Sequence, residues 1–156
     1  MKTEITIREA VDSDLPVLLK YEQGVVKAER PFDPTIKDAD VTYYDLGALM
    51  ENPRAILLVA CDGDKIVATG YALEKPARHY LDHETFAYLG FMYTDPDYRG
   101  MGINGKIVSG LKDWCTASGL TEIRLHAYSE NEPAIRAYEK VGFKRHMIEM
   151  RLRIES

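Results

Sequence analysis

The 156-residue chain is predicted to fold as mixed α/β, around a mostly antiparallel sheet of six to seven strands. Three observations predict this. Short apolar or period-two stretches alternate with stretches of helical spacing. Asp62-Gly63-Asp64 is a hairpin turn between two apolar runs, because Asp-Gly tolerates positive φ. A long apolar run at 86–94 leads into a glycine-rich loop and a helix, which reads as a central buried strand feeding a strand–helix–strand unit. Length, with no repeat and no linker, predicts a single domain over 1–156.

The elements follow in order. Residues 4–9 alternate and predict a strand. Asp12-Ser13-Asp14 supplies capping chemistry for a helix carrying Leu15, Val17, Leu18, Tyr21 and Val25 at helical spacing. Pro31-Phe32-Asp33-Pro34 breaks it. A second helix is predicted from about Thr35 to Glu51, stopped by Asn52-Pro53. Strands at 55–61 and 65–73 flank the hairpin turn. A polar loop at 76–83 and the strand at 86–94 come next. The following helix carries Ile103, Ile107, Val108, Leu111, Trp114 and Cys115, and Gly119 closes it. Residues 121–128 predict a strand, and Asn131-Glu132-Pro133 starts a helix closed by Gly142. Ile148, Met150, Leu152 and Ile154 alternate with charged residues, predicting a half-exposed antiparallel strand.

Composition narrows the function. Hydrophobic residues at 46% and charged residues at 29% exclude a disordered or low-complexity chain. Cys61 and Cys115 sit among apolar neighbours without a ligand spacing, which predicts reduced buried thiols in the cytosol. No run approaches the length of a membrane span, and Met1-Lys2-Thr3-Glu4 has no signal-peptide core, so the expected location is cytoplasmic. A net charge of −5 argues against nucleic acid. The charge is uneven: residues 1–84 hold 10 Lys/Arg against 16 Asp/Glu, and residues 85–156 hold 10 against 9. That direction suits a cationic ligand for the first half and an anionic one for the second; a solvated acidic surface is the alternative.

The sharpest feature is Asp95-Pro96-Asp97-Tyr98-Arg99-Gly100-Met101-Gly102-Ile103-Asn104-Gly105. A strand feeds this loop and a helix begins inside it. Missing side chains let a ligand approach the backbone, and the unpaired amides of a helix start favour a phosphate or pyrophosphate. Arg99 adds a fixed charge. A flexible turn is the alternative. No Gly-Lys-Ser/Thr follows, so this is not a P-loop. A dinucleotide fingerprint belongs after a first strand, with an acid at the tip of the next one. Here the loop follows the fourth strand, and Glu122 lies at the start of the next.

The order of elements and this loop resemble the GCN5-related N-acetyltransferase (GNAT) family, whose signature Arg/Gln-x-x-Gly-x-Gly/Ala lies between the fourth strand and the third helix. Arg99-Gly100-Met101-Gly102-Ile103-Asn104 follows it, with Asn104 in place of Gly/Ala. A second block, Asn131 through Phe143, is similar to the family's Asn-x-x-Ala-x-x-x-Tyr-x-x-x-Gly-Phe segment, matched by Asn131, Ala134, Tyr138, Gly142 and Phe143. The resemblance runs from Ile5 to the last strand and is specific over 86–143. It implies one GNAT-like domain with helices on both faces of the sheet.

It also implies acetyl-CoA as cosubstrate, no metal, and direct attack by a primary amine. The acceptor would be a small cationic amine or a peptide or protein amine. Acetyl-CoA would lie where the fourth and fifth strands splay. Met92, Tyr93 and Thr94 would pair with the pantetheine, and one of these amides would stabilise an oxyanion. Arg99, Gly100, Met101, Gly102, Ile103, Asn104 and Gly105 would take the pyrophosphate. Asn131 would bond the pantetheine arm; a plain helix N-cap is its alternative. Tyr138 is the candidate general acid for the leaving thiolate, against a packed core tyrosine.

An amine with pKa near 10.4 is almost wholly protonated at pH 7, so a base or water relay is needed. Glu84 is the first candidate; His79, His83, Tyr80 and Glu29 are others. Phe32, Tyr43 and Tyr44 are candidates for the acceptor pocket. His79 and His83 lack a third metal ligand. A non-catalytic acyl-CoA-binding sensor or scaffold is the competing function, and a homodimer is left open.

Overall fold

The computed structural model describes residues 4–155. Five strands, β1 (Ile5–Glu9), β2 (Ala55–Asp62), β3 (Lys65–Pro76), β4 (Thr85–Thr94) and β5 (Ile123–Arg124), form one sheet in that order. β1 to β4 are antiparallel neighbours, and β5 joins β4 in parallel. The mixed α/β class is as expected, but the sheet has five strands among the described residues rather than six or seven. The long helices are α1 (Leu15–Glu29) and α3 (Ile103–Ala117), with a short α2 (Leu46–Glu51) and α4 (Glu132–Lys140). The chain divides into two compact units, one ending at His126 and the other starting at Ala127.

In the first unit β2 and β3 bury both faces, so they read as apolar runs rather than alternating ones. Leu57, Val59 and Cys61 on one face of β2 pack with Leu18, Tyr21 and Val25 of α1 and Leu46 of α2. The intervening Leu58, with Ile7 of β1, faces Gly110 of α3; a methyl group at Gly110 would stand 2.9 Å from the Leu58 side chain. The helices thus cover both faces. Burial of this kind contributes about 1.5–3 kcal/mol per large apolar side chain.

The N-terminal end of α1 is anchored by a charged pair. Asp14 takes two bonds from the Arg8 guanidinium, at 2.7 and 3.0 Å, and one from the Val11 amide at 2.8 Å. This arrangement holds the Asp14 carboxyl below its ordinary range.

The predicted helix from Thr35 is not formed; the chain stays irregular until Leu46. Side chains of α1 and its end claim the backbone groups a helix would need. Glu22 Oε2 accepts from the Tyr43 and Tyr44 amides at 2.8 Å each. Gln23 donates to the Val41 carbonyl, and Arg30 donates to those of Lys37 and Ala39. Asp45 then caps α2 through the Ala48 amide.

The strand predicted at 121–128 shrinks to two residues, because β5 pairs with β4 only at Ala87↔Ile123 and Tyr88↔Arg124. The alternating tail is also not a strand. Ile148, Met150, Leu152 and Ile154 are 84–88% exposed, so their alternation has no buried face to serve. In the second unit, Asn131 Oδ1 caps α4 by accepting from the Ala134 amide at 3.4 Å. Gly142, at φ 109°, turns the chain so that the Phe143 amide reaches the Tyr138 carbonyl at 3.0 Å.

Candidate active site

β4 carries a defect where the resemblance requires an open edge. Thr69 pairs with Tyr93 and Tyr71 with Gly90, so Gly70 stands opposite both Phe91 and Met92. This is a β-bulge. Phe91 has φ 52°, the left-handed region that a bulky residue enters only when held there. Two side chains hold it. The Thr69 hydroxyl donates to the Phe91 carbonyl at 2.8 Å in a buried setting. The Phe91 amide points at the Tyr44 hydroxyl. A residue expelled from the ladder therefore keeps partners for both backbone groups.

Beyond Tyr88 the edge of β4 that faces β5 has no strand partner among the described residues. Met92 turns toward α3, lying within reach of any side chain at Gly70, while Tyr93 turns toward α1 and meets Tyr21 with ring centroids 5.1 Å apart. Thr94 offers its carbonyl to Arg99 Nε at 3.2 Å, and the Arg99 guanidinium lies 5.7 Å from the Tyr93 ring centre.

The glycine loop continues from this edge. Asp95 takes the Asp97 amide and starts a short turn over Pro96–Tyr98. Gly100 and Gly102 have φ 77° and 76°, where a side chain costs roughly 1–2 kcal/mol. Gly102 is the N-cap of α3. A methyl group on Gly100, Gly102 or Gly105 would have no other atom of the described residues within 4 Å. Among the described residues the amides of Gly100 to Gly105 have no protein acceptor. They lie at the positive end of a 15-residue helix. Unpaired amides around an open floor fit a pyrophosphate, and the single edge of β4 fits an extended amide chain.

A second cluster adjoins the bulge. Tyr44 packs on Phe91 at 5.1 Å, on Tyr71 at 5.7 Å and on Tyr43 at 5.8 Å between ring centres. Tyr88 lies 6.5 Å from Tyr71, and its hydroxyl is 3.3 Å from His126 Nδ1. Burial pushes the Tyr71 hydroxyl up to about 12 and raises Tyr44 and Tyr88 as well. The charge of Glu29, at the end of α1, adds to burial in raising Tyr44 and Tyr88. Burial raises its carboxyl above the ordinary value, the Tyr43 bond opposes this, and neighbouring Asp33 adds to it.

The structure thus brings together Met92, Tyr93, Thr94, the 99–105 loop and, beside the bulge, Tyr43, Tyr44 and Glu29. It does not bring Glu84 to them. Glu84 is exposed just before β4 begins, and its carbonyl serves the Ala77 amide. The bulge lies seven residues on, roughly 20 Å along an extended strand. His83 is tied elsewhere: Arg124 donates to its Nε2 at 2.7 Å, so its Nδ1 carries the hydrogen given to Asp82. In the second unit Tyr138 is half-buried, with its ring 5.9 Å from that of Phe143. Thr69, Tyr71 and Tyr88 escaped sequence reasoning. Their signal is a hydroxyl group within two largely apolar runs, 65–73 and 86–94.

A strand-edge notch beside a glycine-lined helix start is matched by a family comparison. Residues 23–143 fit the acetyltransferase (GNAT) family model. This chain is a GNAT family member. Thialysine N-epsilon-acetyltransferase of Sus scrofa is 26% identical to it over 148 residues, covering 88% of this chain and 83% of the relative. Among solved structures, a tetramutant of the BH1408 protein from Bacillus halodurans superposes with TM-score 0.82 at 22% identity, covering 96% of this chain and 99% of that one. A predicted acetyltransferase from Clostridium acetobutylicum, solved with acetyl-CoA, has TM-score 0.75 at 20% identity and 96% coverage of both chains. These similarities carry the GNAT fold over nearly the whole chain. No helix among the described residues is long and apolar enough to cross a membrane.

Proposed function

We propose that this GNAT protein transfers an acetyl group from acetyl-CoA to a primary amine on a small cationic molecule or on a peptide or protein. The observation that carries the reading is the continuity of the open β4 edge with the unpaired amides of Gly100 to Gly105. Two relatives add to it: the named substrate of the Sus scrofa enzyme, thialysine, and the acetyl-CoA of the Clostridium structure.

Bound acetyl-CoA supplies an acetyl thioester. The amides from Gly100 to Gly105, with Arg99, neutralise pyrophosphate charge. Met92 and Tyr93 offer backbone groups to the pantetheine amides. The bulge turns the β4 backbone out of the ladder at Phe91–Met92, and one of the amides of Met92, Tyr93 and Thr94 that follow would meet negative charge growing on a carbonyl oxygen. Such a donor is held rigidly before reaction, so little reorganisation opposes it. On its motif position alone, Tyr138 is the proposed proton donor to the departing sulfur, and Asn131 the proposed partner of the pantetheine arm.

The test is an amine panel with purified protein, following free CoA. Release that requires a primary amine, and is fastest with a cationic acceptor, supports the reading. Tight acetyl-CoA binding with no release across the panel overturns it in favour of a binding module.

A further inference from the structure

The turn that leads into the glycine loop is fastened at both ends to one hairpin. Asp62 and Lys65 face each other as the last pair of the β2–β3 ladder. The Tyr98 hydroxyl donates to Asp62 Oδ2 at 2.5 Å. The Lys65 ammonium lies 3.8 Å from Asp95 Oδ2 and 5.1 Å from the centre of the Tyr98 ring. Behind them, the buried Tyr21 hydroxyl donates to the Ile66 carbonyl at 2.5 Å and stands 3.2 Å from the same Asp95 oxygen. The Asp95 amide donates to the Val67 carbonyl at 2.8 Å. Asp95 and Tyr98 are also the two ends of the turn, joined by the Tyr98 amide and the Asp95 carbonyl at 2.8 Å.

Charge alone does not account for this arrangement. Asp62, Asp95 and Asp97 gather their carboxylates at the turn before a loop read as a phosphate site, and like charges there oppose binding. What Asp62 supplies is a fixed acceptor. The amides from Gly100 to Gly105 have no protein acceptor among the described residues, and glycine is the most freely rotating residue. Their direction is therefore inherited from the turn before them and from α3 behind them. Lys65 is more than half exposed, so its pairing with Asp95 contributes little. The bond from Tyr98 to a carboxylate is the stronger fastening. We propose that Tyr98 and Asp62 are positioning residues for the pyrophosphate: the end of the hairpin holds the turn, and the turn aims the amides of the glycine loop. A loop already held in its binding conformation loses less freedom when the ligand arrives. This rests on the acetyl-CoA reading of the site.

The experiment compares two probes by titration into the intact protein. Acetyl-CoA carries the pyrophosphate, and S-acetylpantetheine does not. Tyr98→Phe keeps the ring and loses the donor. It should weaken acetyl-CoA about tenfold, the scale of one hydrogen bond to a charged group, and leave S-acetylpantetheine unchanged. Asp62→Ala should do the same. Asp62→Asn, whose amide oxygen still accepts from Tyr98, should stay within about threefold of the parent. Equal weakening of both probes marks a general disturbance of the fold and overturns the proposal. So does tighter acetyl-CoA binding in Asp62→Ala, which would mean that repulsion outweighs the fastening. Parental acetyl-CoA affinity in Tyr98→Phe removes the positioning role alone and leaves the proposed function standing. A parent that binds acetyl-CoA no better than S-acetylpantetheine fails the cofactor site and the positioning role with it.

Discussion

The Thr69 hydroxyl and the Phe91 carbonyl meet at 2.8 Å inside the sheet, and Phe91 is the residue that leaves the β4 ladder. Thr69 is 1% exposed, so no water can replace it. Thr69→Val keeps the shape and removes the donor. A buried carbonyl left unpaired costs about 1–3 kcal/mol. We expect that loss in urea unfolding, together with weaker acetyl-CoA binding, and recovery of both in Thr69→Ser. Unchanged stability in Thr69→Val would show that Phe91 holds its conformation without this bond.

Gly102→Val should abolish acetyl-CoA binding. Gly102 sits at φ 76° with open space above it, so the variant strains the loop locally and occupies the floor. The remote core is untouched, and the melting transition should stay cooperative. Calorimetry that finds parental acetyl-CoA affinity would remove the loop from the cofactor site.

Stability against acid should follow Asp14. Its carboxyl is lowered by Arg8 and by the Val11 amide, so the native state holds the charged form more firmly than the unfolded chain. This stability is present above the unfolded value near 3.9 and is lost as pH falls toward the lowered one. Asp14→Asn should cost roughly 1.5–3 kcal/mol at pH 7, the scale of hydrogen bonds to a charged group, and the difference from the parent should shrink in acid.

Tyr138→Phe keeps the ring and removes the proton. If Tyr138 is the general acid, turnover should fall by about 10²–10⁴-fold with acetyl-CoA affinity nearly unchanged. Turnover within about threefold of the parent would assign that proton to water.

What the sequence revealed was local. Asp62-Gly63-Asp64, the helix starting after Gly102 and the cap at Asn131 each follow from a few neighbouring residues, and each formed as expected. The family motifs are local too. The irregular stretch after Arg30 was misread because Val41, Tyr44 and Leu46 carry helical spacing, while the groups that override it, Glu22 and Gln23, belong to another element. The bulge was illegible for the same reason: an apolar run gives no sign that one of its residues is left out of the ladder. The ring cluster of Tyr44, Tyr71 and Phe91 needed the loop before α2, β3 and β4 to meet, and no short window of sequence contains all three.

The bulge acts on β4 as a single-letter insertion acts on a reading frame. Upstream of it, even-numbered residues such as Tyr88 belong to the α1 side; downstream, odd-numbered Tyr93 does. Seating Phe91 in the ladder opposite Gly70, with no residue left out, would shift everything after it by one position. Tyr93 would leave the space it occupies beside Gly24, and Met92 would leave α3. The strand and the glycine loop that follows it are thus joined in a fixed register, and a chain that straightened this strand would present that loop to the wrong side of its own sheet.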